Sequence, residues 1–148
     1  MEEIPGELSR NRIVVGVDAS EESEEALRWA ARYAEWVGGQ LDIVHVWNLP
    51  TEHIWIESMP PPTPRTETAR EALAKIVERV MGHHPAVPVT TSVIEGHVTK
   101  ELIDRAKGAI LLVVGCRGRG GFDGLLIGSV SSTCAAHAPC PVVVVRRI

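Results

Sequence analysis

The feature that most constrains the fold is a regular alternation of short β-branched apolar runs with segments of helical period. Short apolar runs bounded by Gly, Pro, Asp or Ser predict strands. Apolar residues that recur three or four positions apart predict helices that pack through one side. Strands that alternate with helices predict right-handed crossovers, and hence a doubly wound, mostly parallel sheet with helices on both faces. We therefore expect an α/β fold.

Five strands are predicted, and the flanking residues set their limits. Pro88 cannot donate a ladder hydrogen bond and favours an edge position, whereas the continuous apolar run AILLVV favours a central one. The predicted strands are Arg12–Asp18, Leu41–Trp47, Val87–Ile94, Ala109–Val114 and Pro141–Arg147.

Apolar stripes between these strands predict four helices. The first begins at the N-cap Ser20, carries Ala26, Ala30, Ala34 and Val37 on one side, and stops at Gly38-Gly39. The later helices are predicted from Thr63-Pro64 to near Gly82, from Val98 to Ala106, and from Val130 to His137.

Length and composition predict a single domain over residues 1–148. The 148 residues are 45% hydrophobic but only 4% aromatic, so Val, Ile, Leu and Ala must build the core. Residues 1–10 form a polar leader, and residues 48–65 form a long Pro-rich loop without sustained periodicity.

Charge and cysteine content exclude several classes of function. A net charge of -4 and a pI near 5.9 argue against nucleic acid or an anionic membrane as a partner. The apolar runs are too short to span a bilayer, and no signal sequence precedes Arg12. The number of cysteines is odd, and their spacing does not match the disulfide pattern of small secreted domains, which favours reduced thiols. We expect a cytoplasmic protein.

A glycine-rich segment after the fourth strand carries the chemistry. Gly115, Gly118, Gly128 and Ser129 are spaced Gly-x2-Gly-x9-Gly-Ser, between a strand and a helix. Glycine lets backbone N–H groups approach phosphate oxygens, and Ser129 adds a hydroxyl at the positive end of a helix. This arrangement predicts a polyphosphate site.

Two better-known phosphate motifs do not fit this segment. A P-loop needs a Lys after its last glycine, and no Lys follows any glycine here. A dinucleotide GxGxxG starting at Gly118 and Gly120 would need a third glycine where Asp123 stands.

Three stretches together resemble the universal stress protein family. They are GVDAS after the first strand, HVW at the end of the second, and VVGCRGRGGFDGLLIGSVSS leading to HAPCPVVVV. The resemblance covers roughly Asn11 to Arg147, and its most specific part is the family's ATP signature, Gly-x2-Gly-x9-Gly-Ser/Thr. It implies a five-stranded parallel sheet of order 3-2-1-4-5, of the Rossmann-like, adenine nucleotide alpha hydrolase-like type.

The resemblance also implies the ligand and its contacts. The ligand would be ATP, alone or with Mg²⁺, and Asp18 would serve the ribose or the magnesium ion. Val46 would offer backbone groups to the base. The implied ATP-binding residues are Gly16, Val17, Asp18, Val46, Val114, Gly115, Arg117, Gly118, Arg119, Gly128, Ser129, Val130 and Ser131.

Other chemistry-bearing residues receive structural interpretations. Cys134, His137 and Cys140 form CxxHxxC, to which Cys116 could add a fourth metal ligand. In the resembling family, however, this stretch is a helix end and a strand, so we predict no metal site. His45 lies between apolar neighbours and is predicted to be a satisfied core histidine without a catalytic role.

Three functions remain open. The first is a regulatory ATP-binding protein of the stress response, because no general base with a positioned partner can be named. The second is a slow Mg-dependent ATPase or phosphotransfer enzyme. The third is a dimeric interaction module with a vestigial pocket. The strand Val142–Val145 is expected at a sheet edge, and pairing with its copy would give a homodimer, as the resemblance also implies.

Overall fold

A computed structural model describes residues 11–47, 65–116 and 128–147. Strands and helices alternate along these residues. The strands are β1 (Arg12–Gly16), β2 (Gln40–Trp47), β3 (Val89–Glu95), β4 (Leu111–Gly115) and β5 (Val142–Val145). The helices are α1 (Glu21–Val37), α2 (Arg65–Met81), α3 (Val98–Arg105) and α4 (Ser129–His137).

The strands form one parallel sheet of order β3-β2-β1-β4-β5, which confirms the predicted fold. β1 lies at the centre, with Val15 opposite Ile43 of β2 on one side and Val113 of β4 on the other. β3 and β5 form the two edges. The edge position of β3 agrees with Pro88, whose carbonyl oxygen accepts from Leu41 N–H at 2.9 Å.

Each face of the sheet has its own apolar core, because side chains alternate along every strand. Val15 and Ile43 point toward α1 and α2, where they pack with Ala30 and Leu73. Their neighbours point the other way and pack with Leu102 of α3 and with α4. The sheet is therefore a middle layer between two pairs of helices.

Helix α1 begins and ends as its sequence predicts. Ser20 is the N-cap, and its Oγ accepts from Ser23 N–H at 3.2 Å. Gly38 ends the helix with a φ of 66°, a left-handed conformation that glycine adopts without steric cost. The predicted apolar stripe is correct at Ala26, Ala30 and Ala34 but wrong at its end, because Val37 is 40% exposed.

Several strand boundaries differ from the prediction, and β1 ends at Gly16, two residues earlier than predicted. β3 begins at Val89 because the ladder cannot include the N atom of Pro88, although Val87 before it is buried. β4 begins at Leu111, two residues later than predicted. β5 stops at Val145, and both arginines that follow are exposed. Among the described residues, no helix combines the length and apolarity needed to cross a membrane.

Candidate functional site

The candidate site lies where the chain reverses its direction of winding. After β1 the chain crosses to β2 on one side, and β4 occupies the other side of β1. The loops after β1 and β4 therefore diverge from neighbouring strand ends and leave a crevice between them. Ligands of open α/β sheets bind at such switch points.

A cavity of about 470 Å³ occupies this crevice. That volume falls within the range of about 300–1,000 Å³ usual for small-molecule sites. Its lining includes seven residues that the sequence predicted, namely Gly16, Val17, Asp18, Val46, Val114, Gly115 and Val130. Five further lining residues were not predicted, namely Val44, His45, Trp47, Val98 and Leu102.

Asp18 is held in a hydrogen-bonded turn at the cavity rim. Its Oδ1 accepts from the backbone N–H of Ser20 at 2.9 Å and also from the Ser20 hydroxyl. Its own N–H donates to Ser23 Oγ at 3.2 Å. The carboxylate is thus oriented by the first turn of α1, beside the cavity. Between these residues, Ala19 has a φ of 69°, and no other non-glycine residue in the described ranges has a positive φ.

Two glycines of the cavity lack a Cβ for different reasons. A Cβ on Gly16 would lie 3.1 Å from Leu102 Cδ1, inside the cavity wall. A Cβ on Gly115 would instead lie 2.8 Å from the backbone carbon of Glu22, on the opposite face of the sheet. Glycine at position 115 therefore permits the close approach of α1, a requirement that the phosphate interpretation did not include.

Hydrogen bonds join the two ends of the glycine-rich segment. The carbonyl oxygen of Cys116 accepts from Gly128 N–H at 2.7 Å, and Ser131 Oγ lies 3.0 Å from the same oxygen. Ser131 Oγ is equally close to the carbonyl oxygen of Gly128, so the Ser131 hydroxyl donates to these two carbonyl oxygens. The predicted residues Arg117, Gly118 and Arg119 lie outside the described residues.

Helix α4 starts at the second end of the glycine-rich segment. Gly128 is its N-cap, and no side chain caps the first turn. Ser129, a predicted contact, is exposed, whereas Ser131 is buried. Gly128, Ser129 and Ser131 do not line the cavity; they border it through Val130, which does.

The last residues of β2 add two polar side chains near the cavity. His45 Nδ1 lies 2.7 Å from the carbonyl oxygen of Val17. A carbonyl only accepts, so Nδ1 carries the proton. The histidine is satisfied as predicted, but it is half-buried at the cavity and not in the core. Trp47 Nε1 is buried and is the one such side-chain N or O in the described ranges without a hydrogen-bond partner.

The CxxHxxC pattern is spread over different environments. Cys134 is fully buried, His137 is exposed, and Cys140 is half-buried. Burial raises the pKa of the Cys134 thiol to about 11 and also raises the pKa of Cys140. Metals bind the thiolate, which burial disfavours. Within the described part of the chain, no three His, Cys, Asp or Glu side chains are grouped as a metal site requires.

All the unpredicted lining residues belong to β2 or to α3. Val98 and Leu102 belong to the apolar stripe of α3, which sequence reasoning assigned only to the core. Leu102 packs directly against Gly16 of β1. A helical stripe alone does not show which strand end the helix covers. The predicted order of the strands contained the available signal, because it places α3 against β1 and β2.

Comparison with known sequences agrees with this architecture. A family model described as the universal stress protein family matches residues 9–146. A universal stress protein of Mycobacterium tuberculosis is 36% identical over 140 residues, which are 90% of this chain and 47% of the relative. Another, from Methanocaldococcus jannaschii, is 30% identical over 152 residues, covering 96% of this chain and 85% of the relative. The chain spans about half the length of the mycobacterial relatives it matches.

Solved structures share the fold. The universal stress protein UspA from Lactobacillus plantarum superposes with a TM-score of 0.73 at 24% identity, covering 93% of this chain and 98% of that one. A universal stress protein in complex with cAMP gives 0.69 at 24% identity, covering 93% and 97%. One from Archaeoglobus fulgidus in complex with dAMP gives 0.65 at 23% identity, covering 90% and 96%. The chain belongs to the universal stress protein family.

Proposed function

We propose that this chain is a regulatory domain of the stress response that binds ATP in the cavity between β1 and β4. The observation that carries the proposal is the cavity itself, which gathers, from four parts of the chain, seven of the residues that the family resemblance implies. The spacing from Gly115 to Ser129 matches the family's ATP signature. Two proteins of the same fold are described in complex with adenine nucleotides, cAMP and dAMP.

The parts of the cavity suit the parts of a nucleotide. Apolar side chains at Val46, Val98 and Leu102 offer a surface for an adenine ring. Asp18 stands at the rim, where a carboxylate can accept from ribose hydroxyls or ligate the magnesium ion of Mg-ATP. The uncapped N-terminus of α4, beside Val130, presents backbone N–H groups to phosphate oxygens.

The same residues favour binding over turnover. Among the described lining residues, Asp18 and His45 are the titratable side chains. The Nδ1 proton of His45 is donated to Val17, and the Asp18 carboxylate accepts from Ser20. Both groups are thus engaged in local hydrogen bonds within the protein, whereas a general base must reach a proton of the substrate. We therefore propose that ATP acts as a bound signal in a cytoplasmic protein, a compartment that the odd number of cysteines in the sequence favours.

The test begins with the purified protein. Mass spectrometry of the supernatant after denaturation should identify an adenine nucleotide. Calorimetry should then show binding of ATP, with GTP as the control for the base and AMP as the control for the phosphates. Gly16→Val, whose side chain would displace Leu102 in the cavity wall, should abolish the binding heat while the circular dichroism spectrum still shows a folded α/β protein. Wild-type protein without heat for any adenine nucleotide would contradict the proposal.

Hydrolysis is decided separately. A single-turnover assay with radiolabelled ATP and magnesium should show no product above a buffer control over many hours. Product formation that Asp18→Asn abolishes would instead establish the slow ATPase.

We also propose that the chain forms a homodimer through β5. β5 is an edge strand with four consecutive valines, all half-buried, whereas the other edge strand carries exposed Thr90, Thr91 and Glu95. A cavity of about 610 Å³ between Trp29 and the end of β5 adds apolar surface to this edge. Unpaired apolar edges pair with a second strand or are otherwise covered. Sedimentation should show a dimer that Val143→Lys dissociates and that Thr91→Lys, on the opposite edge, leaves intact.

A further inference from the structure

A buried carboxylate lies at the end of the sheet opposite the cavity. Asp42 of β2 is only 6% exposed, and its Oδ2 accepts from Arg12 Nη1 at 3.1 Å and from Arg105 Nε at 3.2 Å. Arg105 Nη2 also donates to Ser92 Oγ on β3. One carboxylate thus joins β1, β2 and the last turn of α3, and through Arg105 it reaches β3.

Arg12 also holds the backbone at the end of α3. Its Nη1 donates to the carbonyl oxygen of Arg105 at 2.8 Å, and its Nη2 donates to that of Lys107 at 2.7 Å. Carbonyl groups at a helix C-terminus lack intrahelical partners, and a cation there also interacts favourably with the helix dipole. Arg12 therefore acts as a side-chain cap whose own position depends on Asp42.

The two ends of α3 are held very differently. At its start, His97 is the N-cap and makes no side-chain capping hydrogen bond. At its end, the two arginines make the contacts just described. Since α3 is only eight residues long, we infer that the C-terminal contacts set its position along the sheet.

The position of α3 matters because this helix is a wall of the cavity. Val98 and Leu102 both line it. The Cδ atoms of Leu102 lie 3.1 and 3.3 Å from the point that a Cβ on Gly16 would occupy, so no slack separates the helix from β1. Packed interiors transmit such displacements because they contain few voids.

From these contacts we propose that Asp42 is a positioning residue for the ligand cavity, acting through Arg105 and Arg12 on α3. Its carboxylate keeps two guanidinium groups together, and without it they are like charges that repel. The end of α3 then moves away from the sheet, and Leu102 moves with it. The effect on ATP rests on the function proposed above, whereas the displacement of Leu102 does not.

The test compares Asp42→Asn with Glu24→Gln in the full chain. Glu24 also forms a partly buried ion pair, with Arg79, but it joins α1 to α2 on the other face of the sheet. Both variants should lower the melting temperature. Only Asp42→Asn should shift the methyl resonances of Leu102 in NMR spectra and weaken ATP binding roughly tenfold. Ser92→Ala, which removes one contact of Arg105, should act in the same direction by about twofold and covers the case in which Asp42→Asn does not fold.

The outcomes separate the two proposals. Unchanged Leu102 resonances in both Asp42→Asn and Ser92→Ala, or in the folding variant alone, overturn the positioning role. Equal shifts in Glu24→Gln overturn it as well, because they would reflect general loosening. If wild-type protein binds no ATP, the proposed function fails, and the Leu102 resonances still decide the role of Asp42.

Discussion

The carbonyl oxygen of Cys116 accepts a hydrogen bond from the N–H of Gly128 across 2.7 Å. This contact joins the end of β4 to the start of α4 and brackets the interval 117–127 of the glycine-rich segment. The Ser131 hydroxyl also donates to the carbonyl oxygen of Cys116. The described residues at the two ends of this segment therefore meet beside the cavity where we propose that ATP binds.

Gly128→Val should weaken ATP binding at least tenfold while the fold persists. Gly128 has a φ of -74° and a ψ of 167°, an extended conformation open to any residue, so valine adds a side chain without backbone strain. The added methyl groups stand at the N-terminus of α4, where the phosphates are proposed to bind. Calorimetry with ATP measures the effect. Ala138→Val, at the other end of the same helix, is the control and should bind normally; equal affinities would argue against the phosphate site.

Gly115→Ala should lower the free energy of unfolding by about 2 kcal/mol. The new Cβ would lie 2.8 Å from the backbone of Glu22, which cannot move without displacing α1. Urea denaturation followed by circular dichroism measures the loss. Gly96→Ala is a suitable comparison, since its Cβ would meet only the flexible side chain of Glu101 and should cost less. A loss no larger than that of Gly96→Ala would mean that α1 adjusts freely.

Ala19→Gly should raise the free energy of unfolding by about 0.5 kcal/mol. Ala19 has a φ of 69°, and a Cβ in this left-handed region costs roughly 1–2 kcal/mol. Part of the gain is offset because glycine has more conformational freedom in the unfolded chain. Thermal unfolding would detect the change. Ala86→Gly, at an exposed position without positive φ, should be destabilising instead, and a matching loss in Ala19→Gly would show that no strain is stored there.

The stability of the protein should fall between about pH 9 and pH 11 partly through Cys134. Burial raises the pKa of this thiol from 9.0 to about 11 in the folded state. The folded state therefore keeps its proton longer than the unfolded chain does. The resulting stabilisation is fully present below pH 9 and is lost as the pH rises toward 11, by at most about 1.4 kcal/mol per pH unit. Urea denaturation at several pH values measures it, and Cys134→Ala should give a shallower slope; parallel curves would contradict the assignment.

Much of the fold follows from local patterns. The run AILLVV predicts a strand buried on both faces, and Ser20 with Gly38 marks the ends of α1, as the structure has them. The family resemblance supplied the strand order. The predictions that are wrong concern the ends of helices and strands. Val37 continues the period of its helix but is 40% exposed, and the hydrophobic period alone does not show where burial along a helix ends.

The site divides in the same way. Sequence spacing singled out Gly115, Gly128 and Ser129 as candidates, and the family resemblance added Asp18 and Val46. Of these, the cavity lining includes Asp18, Val46 and Gly115. The sequence did not identify Val98 and Leu102, because the apolar stripe of α3 looks like any other core stripe. Nor did it relate Asp42 to the cavity, because Arg12, Asp42 and Arg105 meet only when three separate elements are assembled.

The sequence by itself determined the alternation of strands and helices, the helix caps and the phosphate-type spacing, because each depends on residues within a few positions of one another. Only the tertiary structure decided why Gly115 must be glycine, which helix closes the cavity, and what holds that helix in place. These are contacts between elements distant in the chain, with Gly115 facing Glu22 and Arg105 facing Asp42. Such contacts depend on packing geometry, which local pattern does not encode.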